Sequence, residues 1–264
     1  MRYTYEELAG MIDHSLLHPT LTDRELEEGC RVAAQYGVAS VCIKPYYVKK
    51  TAKLLRKTKV KVGAVIGFPH GNSATESKRY ETELACRDGA VEIDMVINVG
   101  KALSGDWEYV EQDIRAVTVE AHRHDAKVKV IFENDYLANG GAGLSSKALK
   151  VKLCRLAERA GADWIKTSTG YGFVKGPDGK YNYQGATEAD LKLMRANVSP
   201  RVQVKAAGGV RDLDGLMRVR ALGATRCGAT ATVAMLEEYK RRAAAEQAGG
   251  TRKRKRARLG AGGY

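Results

Sequence analysis

The chain has 264 residues, is 44% hydrophobic and carries a formal charge of +13, and no apolar run in it approaches the roughly 18 residues of a membrane span. Five scattered cysteines (Cys30, Cys42, Cys86, Cys154, Cys227) without a CxxC pair speak against a disulfide framework or a zinc site, and with no charged-then-apolar leader they point to a reduced, cytoplasmic protein. Much of the charge is local, since Thr251 to Arg258 holds six basic residues and no acidic one, and the remainder suits an anionic small substrate about as well as nucleic acid.

Taken from the N-terminus, Tyr3 to Ala9 predicts a short capping helix and Met11 to Leu16 a first strand. Thr22-Asp23-Arg24-Glu25 has the form of a capping box, and its helix runs to Tyr36 with Gly37 as the stop. Strand and helix then alternate. Val38–Ile43, Val60–Phe68, Val91–Val99 and Val128–Glu133 are expected strands, separated by helices over Pro45–Lys57, Ser73–Asp88 and Asp106–His124. A helix over Ser145–Ala160 leads to the strand Trp164–Ser168, and a long loop separates that strand from a helix at Thr187–Ala196. Val202–Ala207 and Thr225–Ala229 complete the strands, with helices at Leu213–Leu222 and Ala231–Ala245. Eight such units with short links predict a single closed (β/α)8 TIM barrel over residues 1–247, followed by a flexible basic tail over 248–264. No GxGxxG follows the first strand, which argues against an open nucleotide-binding sheet.

Lys166 lies within the strand Trp164–Ser168, where valine or leucine would be usual. Such a lysine either reaches water, pairs with a carboxylate, or is buried with a lowered pKa; in the last case its neutral amine is a nucleophile towards carbonyl carbon. Strand parity bears on the choice. One face of Val91–Asn98 is apolar (Val91, Ile93, Met95, Ile97), while the other carries Glu92, Asp94, Val96 and Asn98. Lys129, Ile131 and Glu133 oppose Val128, Val130 and Phe132, and Gln203 and Lys205 oppose two valines. Helices cover the outside of a barrel, so the apolar faces should point outward and the charged ones inward. Asp94, Glu133, Lys129, Lys166 and Lys205 are then expected to converge, as a site or as a buried ion-pair network. Two neighbouring ammonium groups repel, so Lys205 would help keep Lys166 neutral. The turns Ala207-Gly208-Gly209-Val210 and Gly228-Ala229-Thr230 follow the seventh and eighth barrel strands, where barrels often bind phosphate.

These stretches resemble the deoxyribose-phosphate aldolase family. The matching segments are Ile12–Leu17, Val41–Pro45, Ile66–Gly71, Glu92–Asn98, Lys129–Glu133, Ile165–Gly170 and Val204–Gly209, in order and one per strand. The pairing of Lys166-Thr167-Ser168-Thr169-Gly170 with Lys205-Ala206-Ala207-Gly208-Gly209 is the most specific part. The resemblance implies that Lys166 forms a Schiff base, with Asp94 and Lys205 in proton transfer. It also implies that Asp13, Cys42, Thr169, Gly170, Gly208, Gly209, Gly228 and Thr230 line the site of a phosphorylated sugar. No metal or organic cofactor is implied, and a homo-oligomer is compatible with the pattern.

The chain departs from the family at Ala231, where many members carry a second hydroxyl beside Thr230, and in the loop Tyr171–Gly185 with Lys175 and Lys180. These differences keep open a sister lysine aldolase with another sugar phosphate. Arg252 to Arg258 keeps open nucleic-acid binding, although such tails are usually solvated charge. Some relatives end in a tyrosine on a mobile tail thought to reach the active site, which keeps open for Tyr264 a role in protonating an enamine beside that of an ordinary disordered terminus.

Overall fold

The computed structural model describes residues 2–176 and 178–259, with side chains of the last helix described to Ala248. The terminal segment 260–264, and with it Tyr264, lies outside the described residues. In chain order the strands are β1 (Ile12–Leu16), β2 (Ser40–Ile43), β3 (Lys61–Ile66), β4 (Glu92–Val96), β5 (Lys127–Ile131), β6 (Trp164–Lys166), β7 (Val174–Lys175), β8 (Tyr181–Asn182), β9 (Gln203–Ala207) and β10 (Ala224–Ala229). Eight of them close a parallel barrel in the order β1-β2-β3-β4-β5-β6-β9-β10, and β7 and β8 form a separate antiparallel ladder. The helices are α1 (Tyr5–Ala9), α2 (Asp23–Tyr36), α3 (Val48–Leu55), α4 (Thr75–Arg87), α5 (Val99–Ser104), α6 (Trp107–Arg123), α7 (Ser146–Arg159), α8 (Glu188–Ala196), α9 (Leu213–Ala221) and α10 (Thr232–Leu259). No helix among the described residues is long and apolar enough to cross a membrane.

Local chemistry explains most helix starts. Thr22 and Glu25 form the expected capping box on α2, and Gly37 ends that helix at φ 63°. Asp106, Ser145, Thr187 and Asp212 each cap a helix through the side chain. The Ser73 box does not form. Helix α4 starts at Thr75 behind Ala74, and the Thr75 hydroxyl donates instead to Asp113. The basic helix expected from Pro45 is split, with a 3-10 turn over Pro45–Tyr47 before α3, because the proline starts a tight turn. Strand β4 stops at Val96, and Asn98 caps the short α5. Helix α10 runs past Ala245 to Leu259, into the stretch expected to be unstructured from Ala248. Alanine, lysine and arginine are strong helix formers and carry its backbone through Gly249 and Gly250.

The barrel divides its side chains as parity requires. Ile93, Met95, Val128, Val130, Ile165 and Val204 are buried in the apolar layer beneath the helices. Val91 precedes β4 and is exposed. Each fully buried aliphatic side chain contributes roughly 1.5–3 kcal/mol, whereas buried ion pairs about break even. The outer layer therefore supplies the barrel's stability and leaves its interior free to hold charge.

Candidate active site

Parallel register sets the inward side chains beside one another. Lys129 stands opposite Asp94, Lys166 opposite Lys205, and Lys205 opposite Arg226. The last pairing depends on a register irregularity between Ala224 and Arg226, which turns the arginine into the barrel. Arg226 donates through Nε to Asp13 at 2.7 Å and through Nη1 to Glu92 at 2.9 Å. Lys129 donates to Glu92 at 2.6 Å and to Asp94 Oδ1 at 2.9 Å. Lys205 stands 2.5 Å from Asp13 and donates to Asp94 Oδ2 at 2.6 Å. Lys166 donates to the same Oδ2 at 2.7 Å.

The charges of this network explain the state of each amine. Asp13, Glu92 and Asp94 balance Lys129, Lys205 and Arg226, so a proton on Lys166 is surplus. Burial opposes charge on Lys205, yet Asp13 and Asp94 outweigh it and push its pKa up. Lys129 is held up in the same way by Asp13 and Asp94 against burial. Lys166 moves the other way: burial lowers its pKa most, Asp94 pulls it back, and Lys205 lowers it further. Asp94 would be raised by burial, but Lys129, Lys166 and Lys205 hold it well below the carboxylate range. Burial and then Asp94 push the Cys42 thiol up, so it is a neutral neighbour 3.9 Å from Asp94 Oδ2.

Above this floor opens a cavity of about 670 Å³, which Lys166 lines and to which Lys129, Lys205 and Asp94 contribute no wall. Thr169 and Gly170 bound it on one side; Gly208, Gly209, Gly228 and Thr230 lie on its rim. The Thr169 N–H donates to Glu133 at 3.2 Å and its hydroxyl donates to the same carboxylate, while Tyr171 N–H donates back to the hydroxyl at 2.9 Å. Glu133 thus holds the loop after β6; its backbone turns at φ 58° and carries it out of the lysine network it was expected to join. Burial pushes its carboxyl up, and the Thr169 donors offset part of that. The hydroxyl of Thr167 donates to Ala207 O at 2.9 Å and ties the ends of β6 and β9 together.

All eleven residues expected at the site fall in the network or around the cavity, with Asp13 at the bottom of the network and Cys42 at its side. Lys175 and Lys180 do not: Lys175 on β7 and Lys180 just before β8 are both exposed, and neither lines the cavity. Ala231 is absent from the rim, and the hydroxyl of the next residue, Thr232, is bonded to His14 Nδ1 at 2.8 Å. Sequence reasoning missed Arg226, Arg211, Phe173 and Tyr183. Simple alternation puts Arg226 on the face of Ala224, which lies in the outer apolar layer, so the register irregularity hid the arginine; the ring positions carried no signal before the loop was folded. No cluster of three or more His, Cys, Asp or Glu side chains suited to a metal ion occurs among the described residues.

The family model for DeoC/LacD family aldolases matches residues 8–244. A deoxyribose-phosphate aldolase of Rhodopirellula baltica is 48% identical over 239 residues, covering 90% of this chain and 92% of its own length. One from Clostridium perfringens is 45% identical over 232 residues, covering 88% and 95%. A tetrameric deoxyribose phosphate aldolase from Aeropyrum pernix superposes with a TM-score of 0.74 at 29% identity, covering 90% of this chain and 92% of that one. The chain belongs to the DeoC/LacD family of aldolases.

Proposed function

We propose that this aldolase reversibly cleaves 2-deoxy-D-ribose 5-phosphate to D-glyceraldehyde 3-phosphate and acetaldehyde through a Schiff base on Lys166. One observation carries the reading: of the three lysines around Asp94, only Lys166 is pushed towards neutrality, and only Lys166 lines the cavity. The names of the relatives supply the substrate.

The neutral amine attacks the aldehyde carbon of the open-chain sugar, and loss of water gives an iminium. The hydroxyl on carbon three gives up its proton, the bond between carbons two and three breaks, and its electron pair moves into the iminium to form an enamine. Glyceraldehyde 3-phosphate departs. The enamine carbon takes a proton, and water hydrolyses the iminium to acetaldehyde and free Lys166. Asp94 is the base within reach of the amine, acting through water on the substrate hydroxyl, and Lys205 both lowers the amine's pKa and relays protons. The glycines 208, 209 and 228 with Thr230 and Arg211 offer rim donors for the phosphate, while Asp13 holds Lys205 and Cys42 flanks Asp94. Carbohydrate breakdown in the cytoplasm, by a homo-oligomer like the A. pernix relative, completes this reading.

The test is borohydride reduction in the presence of acetaldehyde, followed by peptide mapping. A two-carbon group should appear on Lys166 and not on the surface residue Lys50. Labelling of Lys205 with Lys166 untouched would reverse the two roles.

A further inference from the structure

The loop between β6 and α8 brings rings, not ammonium groups, to the cavity. Phe173 precedes β7 and Tyr183 follows β8, and both line the cavity. Their rings meet edge to face, with centroids 5.3 Å apart and planes at 85°. The base of the ladder is fastened to the rim. Asp135 accepts from the N–H groups of Gln184 at 2.6 Å and Gly185 at 3.1 Å, and Ala186 N–H donates to Gly208 O at 3.1 Å. The Tyr183 ring lies over the glycine turn after β9: a β-carbon on Gly208 would stand 3.3 Å from Tyr183 Cε2.

We propose that Tyr183, backed by Phe173, is a substrate-binding residue that holds the leaving aldehyde half by packing its ring against the carbon chain of that half. The inference rests on the aldolase reading. In that reading Lys166 fixes the two-carbon donor half at the cavity floor, and the leaving half extends towards the rim, where Tyr183 stands. An aromatic ring there covers C–H groups and excludes water without supplying charge. Its contribution therefore falls on the carbon skeleton and applies equally to phosphorylated and unphosphorylated sugars. A two-carbon aldehyde held on Lys166 does not extend to it.

Steady-state cleavage of 2-deoxyribose 5-phosphate and of 2-deoxyribose by the parent, Tyr183→Phe and Tyr183→Ala separates the outcomes. Tyr183→Ala should raise KM for both sugars by a similar factor, on the order of tenfold, with a much smaller change in kcat. Tyr183→Phe keeps the ring and should stay near the parent, and acetaldehyde trapping on Lys166 should be equal in all three. A KM rise confined to the phosphorylated sugar would overturn the proposal in favour of a phosphate contact. An unchanged KM in Tyr183→Ala, or a fall in kcat with loss of trapping, would also overturn it. Failure of trapping in the parent itself would sink the aldolase reading and this one with it, and is distinguishable from the other results.

Discussion

Lys166 and Lys205 share a single oxygen: Asp94 Oδ2 accepts from the first at 2.7 Å and from the second at 2.6 Å. Two ammonium groups on one carboxylate oxygen repel, and the proton stays where more negative charge lies. Lys205 also has Asp13 at 2.5 Å, so it keeps its proton, and Lys166 is the amine driven towards neutrality.

Lys205→Leu removes the repelling cation and leaves Asp94 Oδ2 to Lys166 alone, so both changes raise the pKa of Lys166. The rate at neutral pH should fall about tenfold for each unit of rise, and the ascending limb of the pH–rate profile should shift to higher pH. Full recovery at high pH assigns Lys205 to tuning alone; no recovery adds a direct proton-transfer role. An unmoved profile with undiminished activity would remove Lys205 from the mechanism.

Arg226→Met leaves Asp13 and Glu92, both buried, with one cation fewer. Breaking such a pair typically costs roughly 3–5 kcal/mol, to be read from urea unfolding. Adding Glu92→Gln restores the charge balance and should recover part of the loss. A single variant as stable as the parent would show that the network does not depend on this arginine.

His14 is buried, and burial holds its pKa down to about 4. Above the unfolded value of about 6.5 both states are neutral and the fold has its full stability. As pH falls from there towards 4, the unfolded state takes up the proton first, so stability declines by up to about 3 kcal/mol. The parent should therefore lose stability more steeply than His14→Gln between these pH values. Parallel curves would show that His14 titrates alike in both states.

Gly185→Ala tests the seat of the ladder. Gly185 has φ 70°, and a β-carbon there would stand 2.6 Å from Gly208 O. Either the ladder or the glycine turn must shift, so KM for 2-deoxyribose 5-phosphate should rise several-fold while acetaldehyde trapping on Lys166 persists. Unchanged KM would mean that the two backbones yield without moving the rim.

The sequence by itself determined the barrel and the core of its site, because both rest on local periodicities. Capping residues mark the helices, and a period of two places Glu92 with Asp94, and Lys129, Lys166 and Lys205, on inward faces whatever the partners. Nothing local specifies what those faces meet. Closure of the sheet set Lys166 beside Lys205, and an irregular register against β9 brought in Arg226, two effects of strands far apart in the chain. The backbone turn at Glu133 sent its carboxylate to Thr169 instead of the lysines. Thr75 went to Asp113 on another helix, which left the Ser73 capping box unmade. The Tyr171–Gly185 loop looked like a carrier of lysines; a two-residue ladder turned those outward and put Phe173 and Tyr183 over the cavity. Charge and periodicity are properties of the chain, but which groups share one oxygen is settled only when the eighth strand closes on the first.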